Sequence, residues 1–175
     1  MTGSFSITVQ DTIAPTVATP ANLVAEATSA AGAVVTYADA TATDIVGVTS
    51  LTSNPPSGST FPIGSTAVTA TARDAAGNIG SASFSITVQD TTAPALTVPA
   101  NQVLEATSAA GAVATFTATA TDAVGVTALT YSRTSGSTFP LGTTTVSVAA
   151  SDAAGNTSGG SFTITVRDTT APVIG

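Results

Sequence analysis

The feature that most constrains the fold of this 175-residue chain is an internal repeat. One five-residue phrase occurs three times, as "DTIAP" beginning at Asp11 and as "DTTAP" beginning at Asp90 and Asp168. The first two aspartates are 79 positions apart and the last two are 78 apart. This period exceeds that of solenoid and propeller units and lies at the low end of domain sizes. Each repeat is therefore predicted to fold as a small domain.

Other phrases keep the same interval, so repeat boundaries can be set at the aspartate of each DTxAP phrase. The phrases "EATSAAGAV", "SGSTFP" and "DAAGN" each occur twice, again 78 or 79 positions apart. The predicted segments are the last strand of a preceding repeat at 1–10, complete repeats at 11–89 and 90–167, and the first strand of a following repeat at 168–175. The chain is interpreted as an excerpt from a longer array, or as one protomer of it.

Composition excludes several classes of function. The formal net charge is −7, and the only three basic residues are arginines, so nucleic-acid binding lacks its electrostatic driving force. No apolar run reaches membrane-spanning length, which predicts no membrane span in this segment. Because the chain has no His, Cys or Lys, it offers no base for nucleophilic catalysis and no thiolate metal site. The chain is predicted not to be an enzyme, and no catalytic residue is assigned.

Short apolar alternation with a period of two predicts β-strands. In "SFSITVQ", for example, Phe84, Ile86 and Val88 are predicted to face inward. Gly- and Pro-rich turns separate about seven such segments per repeat, which favours an all-β fold of tandem immunoglobulin-like β-sandwich domains arranged end to end. Repeat 1 has one extra residue near Ala38–Asp39, and a β-bulge is predicted there because a slip of one residue would turn over every later side chain.

The run of phrases from "DTTAP" through "VPANQVLEATSAAGAVATFTATATDAVGV" and "SGSTFPLGTTTVSVAASDAAGN" to "SFTITV" resembles the hyalin repeat (HYR) family. This family belongs to the wider group of bacterial Ig-like adhesin domains, and the resemblance covers both complete repeats. It implies an immunoglobulin-like fold, an extracellular or cell-surface location and an association with adhesion. Many animal members carry a cysteine pair. This chain has none, so nothing that depends on that pair is transferred.

The acidic residues recur with the repeat, and nine of the ten have a counterpart; Asp39 alone has none. In an immunoglobulin-like unit, the start of strand A, the end of strand B and the turn between strands F and G lie at the same end. Carboxylates from adjoining repeats are therefore predicted to converge at the junction and to bind Ca²⁺, which prefers several oxygen ligands. The arrangement resembles the linkers of cadherins. The predicted ligands at this junction are Glu26, Asp90, Asp122, Asp152 and Asn156. Their counterparts elsewhere in the chain are Asp11, Asp44, Asp74, Asn78, Glu105 and Asp168.

A second interpretation of the same aspartates needs no ion. An aspartate before "AAGN", or before the proline of DTxAP, often accepts hydrogen bonds from the backbone N–H groups of its own turn. The sequence leaves both interpretations open.

The predicted function is that of non-catalytic spacer or stalk repeats of a long extracellular surface adhesin, stiffened at short junctions. The alternatives are a filament subunit assembled by β-strand exchange through 1–10 and 168–175, or repeats that themselves bind a surface ligand; passive linkage within a secreted hydrolase is a third. Partners are then neighbouring repeats, further copies in fibres, or an unknown surface ligand. Tyr131, which aligns with Ser53, is the one candidate for a functional aromatic residue, and a partly buried strand position is the favoured interpretation. The threonine rows and the acceptor phrase "NTS" at 156–158 leave ice binding and glycosylation open as minor alternatives.

Overall fold

The computed structural model describes residues 3–172, and these residues form β-strands and turns that divide into two compact units. Unit 1 is Met1–Gln89 and unit 2 is Asp90–Gly175. The all-β, tandem immunoglobulin-like fold predicted from the alternation is confirmed. Within the described range, no helix has the length and apolar character needed to cross a membrane.

Unit 1 is built on a four-stranded sheet with two small two-stranded sheets. Its strands are β1 (Thr16–Ala18), β2 (Leu23–Glu26), β3 (Ala33–Val35), β4 (Thr41–Thr43), β5 (Val48–Asn54), β6 (Ser59–Phe61), β7 (Gly64–Asp74) and β8 (Ile79–Gln89). The large sheet has the order β2-β8-β7-β5, with β2 parallel to β8 and the other neighbours antiparallel. The small sheets are β1–β4 and β3–β6, both antiparallel.

Unit 2 repeats this topology strand for strand. Its strands are β9 (Ala95–Thr97), β10 (Gln102–Glu105), β11 (Ala112–Val113), β12 (Thr119–Thr121), β13 (Val126–Tyr131), β14 (Thr138–Phe139), β15 (Gly142–Asp152) and β16 (Thr157–Arg167). The large sheet has the order β10-β16-β15-β13, and the small sheets are β9–β12 and β11–β14.

Each unit has eight strands in the described residues, where the sequence predicts about seven. The extra strand arises because the predicted strand before Asp44 is split into β3 and β4, and the one before Asp122 into β11 and β12. In unit 1, β3 pairs with β6 whereas β4 pairs with β1, so residues 36–40 link two different sheets. The prediction of a β-bulge at Ala38–Asp39 is wrong, since these residues lie in that link outside any ladder. A link without ladder partners absorbs an extra residue without turning over the next strand. The register shift of this unit lies instead between Val48 and Ser50.

The predicted alternation of inward and outward side chains is confirmed in the long hairpins. Phe84, Ile86 and Val88 are buried along β8, and Phe162, Ile164 and Val166 occupy the same places along β16. Small side chains on the neighbouring strand of the same sheet are buried as well, including Ala70 and Ala72 on β7 in unit 1. At about 25 cal/mol per Å² of apolar surface, such a core relies on its few large residues.

The repeated phrase "EATSAAGAV" forms a tight turn that brings one glycine against the backbone of another strand. Gly32 has φ +107, and a Cβ there would lie 1.9 Å from the carbonyl oxygen of Phe61. Gly111 has φ +111, and a Cβ there would lie 1.8 Å from the carbonyl oxygen of Phe139. Both the backbone conformation and the close contact therefore require glycine.

Residues 3–10 form no strand, although they repeat the sequence pattern of β8 and β16. The side chains of Phe5, Ile7 and Val9 are 87%, 78% and 93% exposed. Their counterparts in β8 are 6%, 0% and 1% exposed. The assignment of 1–10 as the last strand of a preceding repeat remains a prediction; Met1 and Thr2 lie outside the described residues, as do Val173, Ile174 and Gly175 at the other end.

Candidate cation site

Three aspartates gather in each unit, and we call each group a triad. In unit 1, one carboxylate oxygen from each of Asp11, Asp44 and Asp74 lies within 4.8 Å of the others. In unit 2, Asp90, Asp122 and Asp152 meet the same criterion. Each triad draws on the segment before the first strand, the turn after the fourth strand and the end of the seventh.

The turn "DAAGN" between β7 and β8 fixes the most buried member of the unit 1 triad. Asp74 is 2% exposed, and its Oδ1 accepts hydrogen bonds from the backbone N–H groups of Gly77 (2.7 Å) and Asn78 (2.9 Å). The side-chain amide of Asn78 donates to Asp74 Oδ2 at 2.7 Å and to the backbone carbonyls of Asp11 and Ile13 at 3.3 and 3.2 Å. Asn78 thus ties the turn to the DTIAP phrase and positions the carboxylate.

The other two members of this triad also cap their own turns with Oδ1. Asp44 Oδ1 accepts hydrogen bonds from the N–H groups of Val46 (2.8 Å) and Gly47 (3.1 Å). Asp11 Oδ1 accepts one from the N–H group of Ile13 at 3.0 Å. The predicted capping role is therefore confirmed for Asp74 and Asp11, and Asp44 caps its turn as well; in all three, capping engages Oδ1 of the carboxylate.

The second carboxylate oxygens of Asp11 and Asp44 differ from the first in their hydrogen bonding. Both Oδ2 atoms are buried, and no residue in the described range donates a hydrogen bond to them. A charged oxygen buried without a partner is costly, and two of them beside a third carboxylate add mutual repulsion. An oxygen-only donor set of this kind fits a hard cation such as Ca²⁺. Capping and cation binding are thus compatible, because they use different oxygens.

Hydrogen bonding controls the ionisation of the aspartate in the DAAGN turn. Burial opposes the charged form of Asp74, but hydrogen bonds from the side chain and backbone of Asn78 and from the backbone of Gly77 and Ala76 outweigh it, so its pKa lies below the ordinary value of 3.8. In Asp152, burial is likewise outweighed by hydrogen bonds from Asn156, and its pKa is lowered too. Both carboxylates are charged at neutral pH.

The triad of unit 2 has the same construction. Asp122 Oδ1 accepts hydrogen bonds from Val124 (2.8 Å) and Gly125 (3.0 Å), and Asp90 Oδ1 accepts one from Thr92 (3.2 Å). The side-chain amide of Asn156 donates hydrogen bonds to Asp152 Oδ2 (2.9 Å) and to the backbone carbonyl of Asp90 (3.2 Å).

Glu105 and Asp168 have a different role within unit 2. Glu105 Oε1 accepts hydrogen bonds from the backbone N–H of Thr169 (2.7 Å) and the hydroxyl of Thr170 (3.0 Å), while its Oε2 accepts one from the Thr169 hydroxyl (2.7 Å). The bonds from Thr169, with those from Thr170, hold the pKa of Glu105 below its usual range. Asp168 Oδ1 caps its own turn through the N–H of Thr170 at 3.1 Å. Glu105 therefore holds the start of the third DTxAP phrase.

The structure thus brings together three of the predicted ligands in each unit and positions one asparagine beside them. Glu105 and Asp168 belong to neither triad among the described residues. The addition of Glu26 to the triad of unit 2 remains a prediction. The sequence did not predict that Glu105 accepts hydrogen bonds from threonines, although Thr169 and Thr170, which follow Asp168, were the available signal.

Tyr131 is a structural residue, as the favoured interpretation of the sequence held. It is partly buried, its hydroxyl accepts a hydrogen bond from the N–H of Ala118 at 2.9 Å, and its ring centroid lies 5.5 Å from that of Phe116.

Comparison with known proteins identifies the repeats. The HYR domain description matches residues 10–88 and 89–166. A hyalin from Lytechinus variegatus is 38% identical over 188 aligned positions, which cover 99% of this chain and 35% of that protein. A hyalin from Strongylocentrotus purpuratus is 43% identical over 127 positions, covering 67% of this chain and 10% of that protein. The chain therefore spans only 35% and 10% of the lengths of these two relatives.

Solved structures give a weaker likeness. The chain overlaps a crystal structure of human protocadherin-24 EC1-2 at 16% identity with a TM-score of 0.39, over 89% of this chain and 100% of that chain. At this similarity the overlap carries no functional information. HYR domains are extracellular, so the predicted extracellular location is confirmed, whereas the bacterial source stays a prediction. Two matched copies that together cover most of the residues confirm the resemblance: the chain belongs to the HYR domain family.

Proposed function

We propose that these HYR repeats are non-catalytic spacer units of a longer extracellular adhesion protein, and that Ca²⁺ held by the aspartate triads stiffens the end of each repeat at which the DTxAP phrase enters. The stalk role and the ion both go beyond membership of the family. They rest on the arrangement of the carboxylates and on the repetition of that arrangement in both units.

The observation that carries the proposal is the buried, unpartnered Oδ2 of Asp11 and of Asp44 beside the charged carboxylate of Asp74. The net charge of −7 adds to the repulsion that a cation would relieve. Asp11, Asp44 and Asp74 would hold the ion, with Asn78 keeping Asp74 in place. A bound Ca²⁺ would neutralise charge at the three carboxylates and give the two Oδ2 atoms a partner.

The mechanical consequence follows from where the triad residues lie in the chain. Asp11 begins the repeat, Asp44 follows β4, and Asp74 ends β7. Fixing these three points together resists bending of the entering segment relative to the two turns. The proline of each DTxAP phrase acts in the same sense, because it fixes its own backbone angle and restricts the preceding residue; Pro94 is fully buried.

The test is thermal unfolding by calorimetry in excess EGTA and then in Ca²⁺. At a Ca²⁺ concentration of about 100 times Kd, the stabilisation is expected to be about 2.7 kcal/mol per bound unit. Asp44→Asn should remove the response of unit 1 and Asp122→Asn that of unit 2. Asp39→Asn, which deletes the same charge outside either triad, is the matched control. Identical melting curves with EGTA and Ca²⁺ would refute the cation part of the proposal.

The spacer role is separable from direct adhesion. If the repeats only hold another element away from the cell, the isolated chain should not bind cell or polysaccharide surfaces that the full-length adhesion protein binds. Saturable binding of the isolated chain to such a surface would favour the alternative, in which the repeats themselves bind a ligand.

A second candidate function, assembly by strand exchange, is favoured by the exposure of Phe5, Ile7 and Val9. These side chains have the inward alternation of β8 but are 78–93% exposed, and an amphipathic strand with free backbone groups can add to the edge of another sheet. Light scattering and negative-stain microscopy should then show polymers that Ile7→Asp abolishes. A monomer at all concentrations would reject strand exchange and leave the spacer proposal intact.

A further inference from the structure

Unit 1 contains a groove on the flank where unit 2 carries Tyr131. Its volume is about 400 Å³. It is formed by the 36–40 link, by β5 and by the loop that precedes β6. The lining residues are Tyr37, Asp39, Ala40, Leu51, Ser53, Pro56 and Ser57.

The groove arises from one difference between the repeats. Ser53 stands where unit 2 has Tyr131, whose ring packs 5.5 Å from Phe116 and whose hydroxyl bonds the N–H of Ala118. In unit 1 the aromatic side chain is Tyr37, at the place of Phe116, and the small Ser53 leaves the space beside it open. Unit 1 therefore lacks the large side chain that Tyr131 contributes to this flank in unit 2.

Charge on the same flank is reversed between the units. In unit 2, the guanidinium of Arg133 lies 5.5 Å from the centroid of the Phe139 ring. Unit 1 has Pro55 in place of Arg133, and it has Asp39, the one acidic residue without a counterpart in the other repeat. No residue that lines the groove is basic. Unit 2 therefore supplies a cation of its own here, whereas unit 1 presents a carboxylate.

The walls of the groove are held in place before any ligand arrives. The hydroxyl of Ser57 donates to the carbonyl of Tyr37 at 3.1 Å and accepts from its N–H at 2.9 Å. The Tyr37 hydroxyl donates to the carbonyl of Pro55, and its ring centroid lies 5.1 Å from that of Phe84. Binding to a preformed groove avoids the entropic cost of ordering its walls.

We propose that this groove binds a primary ammonium group on a flexible aliphatic chain, as on a lysine side chain. Ala40, Leu51 and the Tyr37 ring offer apolar surface to the methylene groups, and Asp39 at the exposed rim accepts the ammonium. These 175 residues contain no lysine, so the ammonium group lies outside them. A lysine on a partner protein and a free diamine share this chemistry.

The test is a titration of the ¹⁵N-labelled chain followed by NMR, with Nα-acetyl-lysine methylamide and with cadaverine. Saturable shifts of the amides of Asp39, Leu51 and Ser53, with a Kd of about 1 mM, are expected for ligands of this size. Tighter binding of the lysine analogue would assign the ligand to a partner protein, and tighter binding of cadaverine to a free amine. The Nε-acetylated lysine analogue, which has lost the charge, should not bind.

Two variants and a matched control separate the groove from general effects on folding. Asp39→Asn should weaken binding about tenfold or more, because it removes the charged partner of the ammonium. Ser53→Tyr should abolish binding while the chain stays folded, since unit 2 already carries tyrosine at this place. Tyr131→Ser, which opens the equivalent space in unit 2 without a carboxylate, should create no second site. Unchanged affinity in Asp39→Asn, equal binding of the acetylated analogue, or shifts with methyl glucoside instead of the amines would overturn the proposal.

Discussion

The two repeats keep the same aspartate triad but differ on the flank formed by β5 in unit 1 and β13 in unit 2. Asp11, Asp44 and Asp74 recur as Asp90, Asp122 and Asp152. In each unit an asparagine at the equivalent position donates a hydrogen bond to the third aspartate. On the flank, a tyrosine and an arginine of unit 2 are replaced by Ser53 and Pro55. The difference teaches that the triads are constrained as a group, because each aspartate both caps a turn and faces two other charges. The flank is less constrained, and Ser53 and Pro55 stand there in unit 1 in place of Tyr131 and Arg133.

The largest expected effect tests whether the two cores are equivalent despite their different flanks. Phe61 and Phe139 are both fully buried, so Phe61→Ala and Phe139→Ala should each cost about 3–5 kcal/mol, through lost burial and the cavity left behind. Chemical denaturation followed by unit-specific NMR signals measures this. Each variant should destabilise the unit that carries it, and a much smaller loss in unit 1 would mean that its open groove lets the core collapse around the cavity.

The next comparison concerns the two tyrosines. Tyr131→Phe leaves the buried N–H of Ala118 without the hydroxyl that accepts its hydrogen bond, which should cost about 1–3 kcal/mol. Tyr37→Phe removes a bond to the carbonyl of Pro55, a half-buried group that water can reach, and should cost about 1 kcal/mol or less. Urea unfolding of both variants gives the two values. Equal costs would show that the rings, rather than their hydroxyls, distinguish the flanks.

A third prediction concerns acid unfolding and compares the two DAAGN turns. The pKa values of Asp74 and Asp152 are lower in the folded chain than their ordinary 3.8. Their contribution to stability is therefore complete above that value and is lost as the pH falls through the lowered folded pKa. Stability measured from pH 5 downwards should fall in both units, and Asp74→Asn should flatten the acid limb of unit 1 only. If the free energy of unfolding of unit 1 falls with pH equally steeply in Asp74→Asn, its pH dependence comes from other carboxylates.

The smallest expected effect concerns the Glu105 contacts. Glu105→Gln keeps the shape of the side chain but removes the negative charge of the carboxylate to which Thr169 and Thr170 donate hydrogen bonds. Because these groups are exposed, global stability should hardly change, while the amide of Thr169 should exchange with solvent several-fold faster. Hydrogen-exchange NMR measures this, with Asp39→Asn as a charge-matched control. Unchanged exchange at Thr169 would mean that Glu105 does not hold the DTxAP phrase in solution.

Much of the fold and part of the site could be predicted because their signals are local. Phe84, Ile86 and Val88 alternate within one strand, so their burial follows from the period of two. The triad aspartates stand directly beside turn residues, which placed them at strand ends. The break between β3 and β4 was not predictable in this way, because it depends on which distant strand each half pairs with.

The sequence by itself determined the repeat length, the all-β class, the faces of the long strands and the absence of basic groups suited to nucleic acid. Only the tertiary structure decided that Oδ1 of each triad aspartate caps a turn while Oδ2 of Asp11 and Asp44 stays buried without a donor. It also decided that replacing a tyrosine by Ser53 opens a groove beside Tyr37. The physical reason is that alternation and turn chemistry act between neighbours along the chain. Carboxylate partners and cavities depend instead on volumes and donors that distant segments bring together.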